Sequence, residues 1–306
     1  MIEITATAES IEQAKALLEL DIDYLYVGEA NFGLRLPKHF SREELEELVQ
    51  LTHEKGKKIR VAVNAIMHPD TMTNIPEYLT FLTRIKVDEI VVGDPGVIHV
   101  LRRDNYTLPF VYDAATMVTS SRQINFWGKR GAIGAVLARE IPYLELVELA
   151  PNLEIFGEML VYGATCIHQS KRPLVENYFS FVKGEEETGK SRQLFIAEPK
   201  EEETHYSIYE DQHGTHIFAT NDVNLMEELG KLYDLGLHHW KLDGIYTPGE
   251  RYVSIVKCFI EAKTLLESGH WSDIERTRLS EAVIRLHPKN RSLDTGFFHL
   301  DPDEIK

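Results

Sequence analysis

The chain has 306 residues, 43% hydrophobic and 27% charged, which excludes disorder as its main state. No apolar run reaches the ~18–20 residues of a membrane helix, and acids (Glu3, Glu9) stand where a signal peptide carries basic residues, so a cytoplasmic protein with no membrane partner is expected. A net charge of −16 argues against a generic nucleic-acid binder, and two cysteines exclude a disulfide framework or a four-cysteine metal site.

Short β-branched runs alternate with acid-rich amphipathic stretches. Residues 2–8 predict a strand, and Ser10 caps a helix to 20 with Gln13 at the capping-box position. A strand follows over 24–28, then a helix from the cap Ser41 to near Gly56. Strand 58–67, helix 75–86 and strand 89–93 come next, and Pro95 stands where a further helix begins. Strand 110–112, helix 121–129, strand 132–137, helix 142–149 and strand 153–161 complete seven alternations. This rhythm predicts parallel βαβ units. No GxGxxG follows the first strand, so the expected fold is α/β, a (β/α)-barrel-like core rather than a doubly wound sheet.

The rhythm breaks after Gly163. Residues 193–198, 205–210 and 215–219 read as antiparallel strands with a turn at 212–214. A helix over 223–235, a strand over 239–242 and a helix over 250–268 resume the pattern. The expected organisation is a barrel-like domain over 1–163 and 217–270, a β-rich insertion over 164–216 and a C-terminal cap over 271–306.

Function in such a barrel sits at the C-terminal ends of the strands. That rule selects Arg35, Asn64, Asp94, Thr116, Tyr162, Arg172, Lys241 and Asp243 as candidate substrate-binding residues. Candidate catalytic residues are Arg139, Glu140, Glu158, Cys166 and His168. Arg139 beside Glu140 reads either as a clamp for an anionic substrate or as a rim ion pair. Cys166 and His168 share one face of a strand and read either as a nucleophile with its base or as a buried small residue and a bystander. No HExxH is present and His238-His239 lacks further ligands, so no metal is assigned. Cys258 sits on an apolar helical face. Basic pieces at 55–60, 102–103, 129–130, 171–172 and 289–291 are candidate RNA contacts or ordinary surface.

The ordered pieces resemble the collagenase-like peptidase family U32. Tyr26-Val-Gly28 with Phe32-Gly-Leu-Arg35 is similar to its YVG…FSLR segment, and Asp94-Pro-Gly96 to its SDPG turn. Thr116-Met-Val-Thr-Ser120 resembles TQMNxTN, and Val136-Leu-Ala-Arg-Glu140 resembles VLSREL. Glu158-Met-Leu-Val-Tyr-Gly-Ala-Thr-Cys166 resembles ExFVHGALC, with Tyr162 where His is usual. Trp240-Lys-Leu-Asp-Gly244 is similar to LKIEGR, and Thr295-Gly-Phe-Phe298 to a C-terminal TGF motif.

The departures carry information too. The family signature continues Cys-x4-Gly-x-Cys, but here Lys171 and Pro173 replace the Gly and the second Cys, and the later cysteines have no counterpart. The resemblance implies that complete members hold a four-cysteine iron–sulfur cluster, which this chain alone cannot bind. It therefore implies the short subunit of a pair: a non-cluster protein supporting prephenate-dependent 5-hydroxylation of the tRNA wobble uridine. The cluster would lie on a cysteine-complete paralogue, in a heterodimer, with a homodimer as the other arrangement. The alternatives are a peptidase and a non-catalytic scaffold.

Overall fold

The computed structural model describes residues 1–113, 119–182, 192–198 and 200–304. Eight parallel strands close on themselves: β1 (Glu3–Thr7), β2 (Tyr24–Gly28), β3 (Lys58–Val63), β4 (Glu89–Val92), β5 (Phe110–Asp113), β6 (Ala132–Val136), the first half of β7 (Phe156–Ser170) and β11 (His239–Leu242). β11 pairs with both β1 and β7, so no edge remains open and the fold is a (β/α)-barrel. The strands are near-continuous apolar runs because helices cover their outer faces.

Local chemistry sets the helix starts. Ser10 accepts the Gln13 N–H ahead of α1 (Ile11–Leu18). Ser41 and Glu44 form a full capping box on α2 (Arg42–Glu54). A short α3 (Pro69–Met72) precedes α4 (Ile75–Arg84). Asp94 caps α5 (Pro95–Arg103), whose proline occupies the first turn where its missing N–H costs nothing. α6 (Ser121–Gly128) and α7 (Tyr143–Leu149) complete the wall up to β7.

The barrel interior is filled rather than hollow. Tyr26, Leu36, Ala62, Val91, Val111 and Val136 form an apolar plug, with Phe156 packed against it. Gly134 makes room for the Phe156 ring, since a Cβ there would lie 2.2 Å from it. The helical layer is carried by α10 (Glu250–Glu267) and α11 (Asp273–Leu286), which pack on each other.

β7 runs past the barrel rim as an arm. Gly163, at φ 128°, lets the chain pass close to the Asp243 backbone, where a Cβ would meet its carbonyl oxygen at 2.4 Å. The sequence-derived boundary at 163/164 lies inside this strand. The arm pairs antiparallel with β10 (Gly214–Asn224), β10 with β9 (Glu201–Asp211), and β9 with β8 (Phe195–Glu198). α8 (Leu174–Val182) follows the arm and turns Tyr178 and Phe181 outward, 60% and 86% exposed.

Two local expectations are corrected. The helix expected over 223–235 begins later: β10 continues to Asn224, the Leu225 N–H bonds the Val161 carbonyl, and α9 covers only Leu229–Asp234. The strand expected to end at 161 extends to Ser170, because β10 supplies its pairing partners. The last segment holds α11 and a short strand, β12 (Ser292–Asp294), parallel to β10.

Candidate active site at the barrel mouth

The lower barrel holds a sealed ion-pair network. Arg60 is 0% exposed and pairs with Glu89 at 2.7 Å and with Glu158, itself 1% exposed. Thr5 Oγ1 donates to Glu158 at 3.1 Å, the Tyr24 hydroxyl donates to Glu89 at 2.9 Å, and the Arg60 guanidinium lies 4.1 Å from the centre of the Tyr24 ring. Every charge has a partner, as burial demands. Glu158 is thus placed in this network, below the mouth.

Lys241 stands higher, its Nζ 4.0 Å from the centre of the Tyr26 ring. Burial pushes its amine below the ordinary lysine range, although Asp243, Glu158 and Asp113 act in the opposite direction. Asn64 ties two strand ends together: its Oδ1 accepts the Leu34 N–H at 2.9 Å and its Nδ2 donates to Asp113 at 2.7 Å. Asp243 accepts the Ile245 N–H at 3.0 Å. Asn64, Asp113, Lys241 and Asp243 are all buried around the top of the barrel.

The β9–β10 hairpin roofs this mouth. Arg192 donates to the Leu36 and Pro37 carbonyls at 2.7 and 2.6 Å, and the His213 ring lies 2.7 Å from the Ala30 carbonyl. Arg35, held at φ 53°, donates to Gln169 at 2.8 Å. Arg139 reaches the Ala164 carbonyl at 3.4 Å, while its Nε is buried without a partner.

Beneath the roof Cys166 meets His216, and His216 meets Asp211. His216 is 0% exposed, and its Nε2 lies 2.9 Å from Asp211 Oδ1. The other ring nitrogen, Nδ1, is buried without a hydrogen-bond partner, and the Cys166 thiol lies beside this ring. Burial pushes this thiol up, but His216 and the Arg35 charge outweigh it and leave the thiol below its ordinary range. Burial disfavours the His216 cation, yet Asp211 and Cys166 together raise its pKa above the ordinary value. Asp211 is lowered: burial raises it, and the His216 bond and charge more than compensate.

The pairing expected between Cys166 and His168 is not what the register produces. Ile217 pairs with His168 and Phe218 with Cys166, so Ile167 is an extra residue in β7. This bulge breaks the alternation that would put both side chains on one face. His168 is exposed, and Cys166 Sγ contacts only its backbone carbonyl, at 3.3 Å. His216 and Asp211 were not singled out by sequence reasoning. They lie far along the chain from Cys166, and only the β7–β10 register brings them to it.

The remaining candidates separate. Tyr162 faces the helical layer, its hydroxyl 2.9 Å from Thr247 Oγ1 and 2.8 Å from His287 Nδ1. Asp94 is engaged in its cap, accepting from Gly96 and Met67 N–H groups at 2.6 and 2.8 Å. Glu140 and Arg172 are exposed. Thr116 lies outside the described residues. Of the basic pieces, Arg60 and Arg291 are buried in ion pairs, and Lys55, Arg103 and Lys129 pair with neighbouring acids. Lys289 is exposed, beside a cleft of about 500 Å³ that Arg192, Phe195, His205, Tyr246 and Arg291 also line.

Among the described residues no group of three or more His, Cys, Asp or Glu side chains could hold a metal ion. Cys166 belongs to the roof cluster and Cys258 packs on the outer core, so the two thiols do not share a site. A four-thiolate cluster does not fit this donor set.

A family model described as Peptidase family U32 matches residues 9–306. The chain is similar to tRNA hydroxylation protein P2 of Bacillus subtilis (strain 168), 37% identical over 300 residues, covering 97% of each chain. It is 26% identical over 246 residues to tRNA hydroxylation protein P1 of the same organism, spanning 79% of this chain and 58% of that one. It is 19% identical over 315 residues to a collagenase of Porphyromonas gingivalis, covering 97% of this chain and 73% of the relative. One organism therefore holds two paralogous relatives of this chain. No described helix is long and apolar enough to cross a membrane.

Proposed function

The chain belongs to peptidase family U32, and from that premise we propose that it is a non-cluster subunit supporting prephenate-dependent 5-hydroxylation of the tRNA wobble uridine. The observation that carries this reading is its 37% identity to tRNA hydroxylation protein P2 across 97% of both chains. The cysteine count supports the division of labour. Two cysteines in separate clusters leave a four-cysteine iron–sulfur centre to a partner.

The partner in this reading is a cysteine-complete paralogue. The co-occurrence of P1 and P2 in one organism supports a pair. So does the apolar outer face of α8, where Tyr178 and Phe181 lie open. The cleft beside Lys289 supports an RNA contact, because it combines cations with the aromatic rings of Phe195 and Tyr246. The test is nucleoside mass spectrometry of bulk tRNA from a strain lacking this gene and its paralogues, with the gene restored in one arm. Hydroxylated wobble uridines are expected to disappear in the deletion and to return with the restored gene and its partner.

A second reading, hydrolysis of a peptide or acyl bond, is favoured by one specific observation: the Cys166–His216–Asp211 arrangement. A scaffold role has no comparable observation behind it.

A further inference from the structure

We propose that Cys166 is a nucleophile toward activated acyl compounds, esters or thioesters, with His216 as its proton carrier and Asp211 as a positioning residue. The proposal stands apart from the tRNA reading and survives or fails separately from it.

The geometry carries it. Asp211 Oδ1 fixes one edge of the imidazole at 2.9 Å. The other ring nitrogen of His216, Nδ1, is buried with no hydrogen-bond partner, and the Cys166 thiol is the titratable group beside the ring. A nucleophile, a base and an oriented acid in sequence are the elements of covalent acyl transfer. Charged and titratable groups face the thiol from four elements. Arg35 comes from the loop after β2, Arg139 from the loop after β6, His216 from β10 and Tyr246 from the loop after β11. Arg35 and Arg139 favour the thiolate, and Arg139 Nε has no partner of its own. The Ile167 bulge seats Cys166 beneath the hairpin while leaving it half-buried rather than sealed.

The reaction balances with water as the only co-reactant. The thiolate pair forms an S–C bond at the carbonyl carbon, and the π pair moves to oxygen. On collapse the bond to the leaving group breaks with its electron pair, and the His216 imidazolium supplies that group's proton. Water then attacks the acyl-thioester, His216 accepts one of the water's protons, the C–S bond breaks with its pair on sulfur to regenerate the thiolate, and the carboxylic acid departs and loses its remaining proton to solvent.

The full chain is incubated with p-nitrophenyl acetate, and released nitrophenolate is compared with the mass of the tryptic peptides. The expected result is a burst of about one equivalent, with one acetyl group on the Cys166 peptide and none on Cys258. Cys166→Ala abolishes the burst. Asp211→Asn slows it at least about tenfold and shifts its pH profile. Iodoacetamide labelling from about pH 6 to about pH 9 is the second readout. Cys258, whose thiol burial raises, serves as the reference within the same chain. Cys166 labels at least about tenfold faster than Cys258 near neutral pH. Acetyl groups found only on lysines or Cys258 overturn the proposal. So does Cys166 labelling that follows an ordinary thiol curve or is indifferent to His216→Asn.

Discussion

Asp211 Oδ1 lies 2.9 Å from His216 Nε2, and this contact favours the cation of a fully buried imidazole against the pull of burial. The contact is built by the tight turn between β9 and β10, which places the two residues five apart on facing strands. Its consequences appear in stability as well as in reactivity.

The first prediction concerns pH. His216 titrates above its ordinary 6.5 and Asp211 below its ordinary 3.8. The raised histidine contributes stability that is complete below about pH 6.5 and is lost as pH rises through its folded value. The lowered aspartate contributes stability above about pH 3.8 that is lost as pH falls through its folded value. Asp211→Asn removes both. Melting curves are expected to show the widest gap between parent and variant between about pH 4 and pH 6.5, narrowing toward alkaline pH. A gap that widens above pH 8 contradicts the assignment.

The second concerns the sealed network in the barrel. Glu158→Gln leaves Arg60 with one of its two carboxylates and is expected to cost about 3 kcal/mol in urea unfolding. Replacing Arg60, Glu89 and Glu158 together by apolar residues of similar volume is expected to cost less than that single change. A single variant as stable as the parent would show that the pair carries no such weight.

The third concerns packing. Gly134→Val places side-chain carbon against the Phe156 ring, where even a Cβ would sit 2.2 Å away. The expected loss is about 1–3 kcal/mol. Phe156→Ala in the same chain should return part of it, giving a favourable interaction energy in a double-mutant cycle.

The fourth follows from the RNA reading. Lys289→Ala, on the exposed lip of the cleft, is expected to weaken tRNA binding several-fold at low salt and to reduce the salt slope by about one. Filter binding across a salt series measures both quantities. Arg291→Ala is a different case. Its guanidinium grips Asp222 and the Ala219 carbonyl, so that change acts first on folding.

The barrel was legible because each strand is an apolar run bounded by caps that can be read residue by residue, as at Ser41 with Glu44 and at Asp94 with Pro95. The same reading of strand ends puts Asn64, Lys241 and Asp243 at the barrel mouth, where the structure places them. Side-chain direction in β7 was less legible. The register slips between Leu160 and Tyr162 where β7 pairs with β11, and again at Ile167 where it pairs with β10. A period of two does not survive an inserted residue. Glu158, before both slips, faces the barrel interior, whereas Tyr162 meets His287 in the helical layer and Cys166 finds a histidine remote in sequence. Neither His216 nor Asp211 carries a local motif, and their partnership with Cys166 exists only once three strands are paired.

In the proposed function this chain takes part in tRNA hydroxylation without a cluster of its own. Nucleoside mass spectrometry tests it most directly, in a strain lacking the gene and every paralogue. The chain is restored alone in one arm, the cysteine-complete paralogue alone in a second, and both together in a third. The chain alone is expected to restore no hydroxyuridine, and the pair is expected to restore more than the paralogue alone. Full restoration by the chain alone, or a profile indifferent to its presence in every arm, would contradict it.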